Sequence, residues 1–459
     1  MSTTSSTLTS VLSALGGSTG IDVTSAVASI LYADRAPERG WQAQQTALAS
    51  QTSAINALNS DASALSDALS ALQSTTGALS TVTATSSNTS LLTATATDGT
   101  TTGNHVVTIS NLASTGSWYS AKEGTSSTQL PTGSFSITVG STTTSIPTGS
   151  GSVNTLDQLA ASINGQALGV TASVVTDSSG ARLALVSTVS GAAGDFSIAT
   201  GGSIGFTRSG TGTDASLTVD GVPLTSSSNT VTGAINGVTL NLLGAAPASA
   251  DLTTPATPIA LGLAPDTSAI TSAVNAFVTA YNNLITDTNT TITYNKSTQT
   301  GGILQTDSAA QSLQSALLAS TNYSATSGSF LSLDSLGIST KSDGTLTVDT
   351  TKLTTAIQSN NSALTTFFQG TAVNGFAASL TSTLNTYTDP TQGAFTVDLQ
   401  SISSENKDLT DQISTLEVYL ASQQTILTAQ YNAADIAIQQ LPQKLKQINA
   451  LLNPNSTSS

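Results

Sequence analysis

The stretch WQAQQTALASQTSAINALNSDASALSDALSALQSTTGAL, residues 41–79, decides the fold. Read in sevens, one set of positions is Trp41, Leu48, Ile55, Ala62, Leu69 and Thr76. The set three residues further on is Gln44, Gln51, Leu58, Leu65, Leu72 and Leu79. Apolar side chains dominate both sets from Leu48 onward, and no Pro or Gly intervenes before Gly77. This period predicts a coiled-coil helix with a narrow seam. A helix over the whole stretch would be roughly 58 Å long. A seam so narrow buries too little to hold itself, so it needs a partner helix.

The matching stretch lies at the far end of the chain. One seam set there is Leu399, Ile413, Leu420, Leu427, Ala434, Leu441 and Ile448, broken by Asn406. The other is Ile402, Leu409 and Leu416, giving way to Gln423 and Gln430. Beyond Ile436 the apolar positions drift to Ile438, Leu441, Leu445, Ile448 and Leu452. Pro442 is predicted to kink or interrupt this last segment. The bland reading is that both seams only pack against each other. The functional reading places other subunits on the helix ends. Gln44, Gln51, Gln423 and Gln430 sit in seam positions where an isolated hairpin is under-packed and a further subunit could complete it. Together with Ile438, Leu441, Leu445 and Ile448 they form the candidate interface.

Composition narrows the function classes. Only 8% of the 459 residues are charged, and none is cysteine, which excludes a disulfide framework and a thiolate metal site. With 11 basic against 26 acidic residues and no basic run, the chain does not read as a nucleic-acid binder. No apolar run reaches membrane-spanning length, so no membrane insertion is expected. Residues 1–20 read as an arm without the charged start and apolar block of a secretory signal. The Ser/Thr-rich, cysteine-free composition is that of many exported bacterial surface proteins. Export by a route that reads no cleaved signal reconciles the two observations, and cytoplasmic residence is the bland alternative that composition alone leaves open.

Between the two seams the period changes. Val23, Val27, Ile30 and Leu31 predict a short helix capped by Asp22 or Thr24, and Asp34, Arg35, Glu38 and Arg39 read as a solvated charged face with local ion pairs. Pro37 and Gly40 mark a break before the long helix. Alternation over residues 91–112, at Phe135, Ile137 and Val139, and on both sides of Asp177-Ser178-Ser179-Gly180 predicts strands and hairpins. Asp220-Gly221 and Asn236-Gly237 add two further turns, and Leu156, Leu159, Ala160 and Ile163 a helix capped by Thr155. Pro255, Pro258 and Pro265 read as a linker before helical spacing returns at Ile270, Val274, Phe277, Tyr281 and Leu284.

The expected fold class is therefore α+β and multidomain: a discontinuous α-helical coiled-coil stalk from both termini with inserted β-rich domains. The expected units are an arm and short helix over 1–40 and the N-terminal stalk helix over 41–80. A β-rich domain takes 81–132 and 213–255, with a second one inserted at 133–212. A helical stalk domain with a β-hairpin takes 256–392, and the C-terminal helix and tail 393–459. Coiled-coil packing is assigned to Leu48, Ile55, Leu58, Leu65, Leu69, Leu72 and Leu79. On the C-terminal helix it is assigned to Leu399, Ile402, Leu409, Ile413, Leu416, Leu420 and Leu427.

Chemistry is hard to find. His105 is the one histidine, on an alternating strand, and acidic residues are scattered singly. Ser404-Glu405-Asn406-Lys407 fits S-x-x-K but lies in a long helix without companion motifs. Gly210-Thr211-Gly212 with Ala215 is a partial G-x-G-x-x-A that precedes a strand, and reads as a loop. No catalytic residue, metal site or cofactor is expected.

Several blocks resemble the flagellar hook-associated protein 2 family. They are Gly20-Ile21-Asp22-Val23 with the long helix behind it, and Leu156-Asp157-Gln158-Leu159-Ala160-Ala161-Ser162-Ile163-Asn164 followed by Gly169 to Val175, which resembles the motif shared by flagellins and hook proteins. Phe277-Val278-Thr279-Ala280-Tyr281-Asn282-Asn283-Leu284, Leu336-Gly337-Ile338 and Asp343-Gly344-Thr345-Leu346 complete the set. The resemblance implies an extracellular cap homo-oligomer at the tip of a flagellar filament, exported by the flagellar type III route. It implies flagellin, the hook–filament junction protein and an export chaperone at the C-terminal helix as partners, and a role in the folding and insertion of flagellin. The alternatives are flagellin or a junction subunit, which would polymerise or form a fixed ring, and a surface adhesin whose β domains bind glycans.

Overall fold

The computed structural model describes residues 22–245 and 257–452, apart from 152, 203, 297–298, 327 and 372–373. The expected arm up to residue 20 and the tail after 452 lie outside the described residues. The helices are α1 (Val23–Asp34), α2 (Ala36–Gln73), α3 (Leu156–Gly165), α4 (Thr267–Ile292), α5 (Ser308–Ser320), α6 (Thr350–Gln369), α7 (Phe376–Thr388) and α8 (Ala394–Leu452). Strands fill the interval between α2 and α4, so the chain is α+β, with a helical part assembled from both ends of the sequence.

The start of the helical part differs from expectation. Asp22 caps α1, accepting a hydrogen bond from the Ser25 amide at 3.0 Å. The break before the long helix falls at Arg35 (φ −78, ψ 2), not at Pro37 and Gly40. Pro37 sits in the first turn of α2, where its missing amide hydrogen removes no helical bond. Gly40 is simply absorbed within the helix. At the other end α2 stops at Gln73, and Leu79 is buried on a separate single turn, Ala78–Ser80.

The lower seam of α2 has more partners than one helix. Ile55, Leu58, Leu65, Leu69 and Leu72 are wholly buried in one core with Ile270, Phe277, Tyr281 and Leu284 of α4, Phe367 and Phe368 of α6, and Phe376 and Leu380 of α7. Helix α8 reaches this core only through its first turns, by Phe395, Leu399 and Ile402. The coiled-coil pairing expected for Ile55 to Leu72 is thus corrected to multi-helix packing. The reason lies in aromatic bulk: Phe277, Phe367, Phe368 and Phe376 meet ring to ring at 5.3–6.5 Å between centroids and cover the seam. The Tyr281 hydroxyl donates to the Leu317 carbonyl at 3.1 Å, so this polar group is satisfied within the core.

Two β-rich cores follow. The first joins a five-stranded antiparallel sheet, in the order Val82–Ser86, Ile259–Pro265, Gly103–Asn111, Ala215–Val219 and Val222–Ser226, to a three-stranded sheet of Thr230–Ile235, Val238–Leu242 and Leu92–Ala96. The strand Ile259–Pro265 corrects the expected proline linker. Its Ile259, Leu261 and Leu263 alternate into the core, and Pro265 ends the strand, where no ladder bond is lost. The Asp220-Gly221 turn has both residues at positive φ (52 and 81), the two-residue hairpin geometry that glycine makes accessible.

The second core lies between a four-stranded sheet, in the order Phe206–Gly210, Ser117–Ser120, Gly180–Ser187 and Val170–Asp177, a three-stranded sheet of Thr142–Thr148, Gly133–Val139 and Phe196–Thr200, and helix α3. Thr155 caps α3, as its side chain accepts from the Gln158 amide. The strand Ser117–Ser120 and Leu130 belong here, so this unit starts well before the expected residue 133. A four-residue strand is too short for alternation to reveal it.

Candidate assembly surface on the terminal helices

Above the helical core, α1 and the first half of α2 run antiparallel to α8. Arg35 donates to both carboxylate oxygens of Glu417, at 2.5 and 2.8 Å, while ten residues on Gln45 donates to Thr410 Oγ1 at 2.9 Å. The Arg35 guanidinium also touches Glu38 at 3.3 Å, and Gln42 donates to the other Glu38 oxygen at 2.9 Å. Arg39 lies over the Tyr32 ring at 4.7 Å. The charge cluster expected to make local pairs on a solvated face therefore also makes a long-range clamp across the two ends of the chain. Its long-range partner could not be read from spacing, because Glu417 is 382 residues away.

Apolar cover is patchy along this pair. Leu48, Leu409 and Leu420 are buried, and Val27 of α1 is 4% exposed. Ile413, Leu416 and Leu427 are half-buried. Gln51 and Gln423 are half-buried, whereas Gln44 and Gln430 face solvent. An open groove of about 650 Å³ separates α1, at Val23, Val27 and Leu31, from α8, at Gln424, Thr428 and Asn432. The apolar side of that groove is α1 and the polar side is α8, so the pair closes imperfectly where glutamine and asparagine replace leucine.

Beyond the groove α8 carries exposed apolar side chains that no other described element is seen to cover. Ile438 is half-buried, while Leu441, Leu445, Ile448 and Leu451 are 42, 37, 50 and 80% exposed. The helix runs on past Pro442 to Leu452, so of the kink or interruption expected there the interruption does not occur. Val418, Tyr419 and Ile426 form a second exposed apolar stripe on α8, 70, 54 and 45% exposed. The seam reading missed it because these residues fall between the seam positions. The spacing of seven from Tyr419 to Ile426 was the available signal.

Among the described residues no group of three or more His, Cys, Asp or Glu side chains could hold a metal ion. His105 makes a structural contact: its Nδ1 lies 2.7 Å from Asp220 Oδ2, and Asp220 also accepts from the Val106 amide at 2.8 Å. Those contacts hold the Asp220 carboxyl below its ordinary range, the His105 bond contributing most. Ser404 and Lys407 lie on the exposed surface of α8, and Lys407 pairs with Asp411 at 2.8 Å. No described helix is long and apolar enough to cross a membrane.

The family model for the flagellar hook-associated protein 2 C-terminus matches residues 212–443, half of the chain. The chain belongs to the flagellar hook-associated protein 2 family. The N-terminal model of the same family matches residues 19–116, and the flagellin hook IN motif matches 134–189, within the second β-rich core. Relatives include the B-type flagellar hook-associated protein 2 of Pseudomonas aeruginosa, 28% identical over 348 residues, which spans 69% of this chain and 71% of the relative. The flagellar hook-associated protein 2 of Aeromonas caviae is 27% identical over 364 residues, 73% of this chain and 75% of that one. Among solved structures, the D1-D2-D3 domains of the flagellar cap protein FliD from Escherichia coli share the fold, with a TM-score of 0.56 and 24% identity over 76% of this chain and 99% of that one.

Proposed function

We propose that the chain is a flagellar filament cap: a non-enzymatic homo-oligomer at the distal tip that promotes folding and insertion of exported flagellin. The family match over half of the chain carries this reading. The terminal helices support it physically. They present exposed apolar stripes, suited to exchangeable contacts with helical ends of flagellin or of the junction protein. Sheet-based cores well separated in sequence from those ends supply the body of the cap. The export chaperone fits the exposed end of α8, and the flagellar type III route fits the absence of cysteine.

The test is made on the purified full-length chain, by size-exclusion chromatography with light scattering followed by electron microscopy, with flagellin added in a second series. Closed oligomers made of a plate with legs, alone or on filament ends, are the expected result. Open-ended filaments of this chain alone would instead favour a filament subunit. In cells, removal of residues 1–40 or 430–459 should abolish filament growth while leaving folded β-rich cores, and normal filaments from both deletions would refute the proposal.

A further inference from the structure

The strand Val170–Asp177 lies at the edge of its sheet and pairs on one side only, with Gly180–Ser187. Its register is unbroken over eight residues, and it contains no Lys, Arg or Pro. A long, regular edge of this kind, whose one charge is Asp177 at its end, is a template for pairing with another chain. Three other edges in the β-rich parts carry the usual obstacles, and the further edges without them, Val82–Ser86, Leu92–Ala96 and Phe196–Thr200, are only five residues long. Thr142–Thr148 contains Pro147, Val222–Ser226 contains Pro223, and Thr230–Ile235 has a register break.

What the strand has instead is Asn164, at the end of α3. Its Oδ1 accepts from the Ala172 amide at 2.7 Å, and its Nδ2 donates to the Ala172 carbonyl at 2.8 Å. A side-chain amide offers one acceptor and a donor much as a peptide group does. In the alternation of an antiparallel ladder, a residue whose amide and carbonyl point away from its partner strand is a non-hydrogen-bonded pair, which is the position of Ala172 opposite Leu185. Val170, Val174 and Thr176 share that phase, so their backbone groups aim at the same open edge. Asn164 occupies the middle of the row that an incoming strand would need.

We infer that Asn164 is an edge guard, which prevents the strands Val170–Asp177 of two copies from pairing. It closes off an indiscriminate contact while leaving the sheet regular. The inference does not depend on the cap proposal.

The absence of cysteine makes the test clean. Ser173 is exposed on this strand, so Ser173→Cys reports on edge-to-edge pairing by disulfide trapping in the full-length chain. Adding Asn164→Leu should raise the disulfide-linked dimer on the order of tenfold over Ser173→Cys alone, as expected from unpaired backbone groups seeking partners. A third variant adds Val175→Lys, at a position 58% exposed, and should return trapping to the starting level. Circular dichroism and thermal melting of each variant identify unfolding, and unfolded chains would cross-link regardless of the lysine. Equal trapping with and without Asn164, or trapping that the lysine leaves unchanged, overturns the inference.

Discussion

Helix α2 carries one seam with two fates. From Ile55 to Leu72 its leucines are fully enclosed by α4, α6 and α7, while from Trp41 to Gln51 only Leu48 is buried. The seam positions alone do not announce the difference. What separates the halves is the aromatic cluster on the facing helices, together with the glutamines at 44 and 51. A heptad repeat states that a helix wants a partner, and the partner's bulk decides whether the wish is met within the chain or left for another molecule.

The sharpest way to break the comparison is to make the same kind of substitution in both halves. Leu65→Ala removes a wholly buried side chain from the enclosed half and should cost about 3–4 kcal/mol in denaturant unfolding. Leu48→Ala, 7% exposed beside the open pair, should cost less, about 2 kcal/mol, because solvent and the neighbouring helices can collapse into the gap. Equal costs would mean that the two halves are packed alike.

The clamp at the junction is the next test. Both Arg35 and Glu417 side chains are 41% exposed, so water screens much of their attraction. Glu417→Gln should lower stability by about 0.5–1 kcal/mol, and the deficit should shrink in high salt. A larger loss, insensitive to salt, would show that the pair holds α1 against α8 by geometry more than by charge.

Acid response separates the helical core from the β turns. Burial raises the Asp61 carboxyl on α2 above its ordinary value, with Asp287 on α4 adding to the shift, and one Asp61 oxygen is buried without a hydrogen bond. The folded state then holds its proton to higher pH than the unfolded chain does. Its contribution is most favourable below the ordinary carboxyl range and is lost as pH rises through the raised value. Asp61→Asn should flatten that slope and stabilise the helical core at neutral pH, as read in melts from pH 3 to 7 (about the range of carboxyl titration). Asp177 and Asp220 have the opposite sign. Hydrogen bonds, first from the Ser179 side chain and from His105 respectively, lower both. Their contributions are present above the ordinary range and lost as pH falls through the lowered values.

The legibility of the sequence followed the same division. Periodic signals located both long helices, the α4 seam of Ile270, Phe277 and Tyr281, and the hairpins at Gly180 and Gly221, because in each the backbone period and the burial agree. The strand Ile259–Pro265 escaped because flanking prolines mimic a linker, although Ile259, Leu261 and Leu263 alternate. The clamp from Arg35 to Glu417 and the hydrogen bonds of Asn164 were not readable in spacing, since each depends on where tertiary structure carries a side chain. Of the surface residues, the seam reading reached Leu441, Leu445 and Ile448, but it passed over Val418, Tyr419 and Ile426, which lie outside the repeat.

The smallest expected effect on folding is the most informative about function. Leu445 and Ile448 are 37 and 50% exposed, so Leu445→Ser with Ile448→Ser should change unfolding free energy by only about 0.5 kcal/mol or less. If the exposed end of α8 is an assembly surface, the same double variant should lose binding to filament ends, measured by sedimentation with flagellin filaments, because it removes two exposed apolar side chains while leaving the neighbouring Lys444 and Lys446 in place. Loss of binding without loss of stability would separate this end of the molecule from the enclosed half of α2, where packing and stability cannot be uncoupled. Retained binding would move the assembly surface to the stripe of Val418, Tyr419 and Ile426, and Val418→Ser with Ile426→Ser would then be the decisive pair.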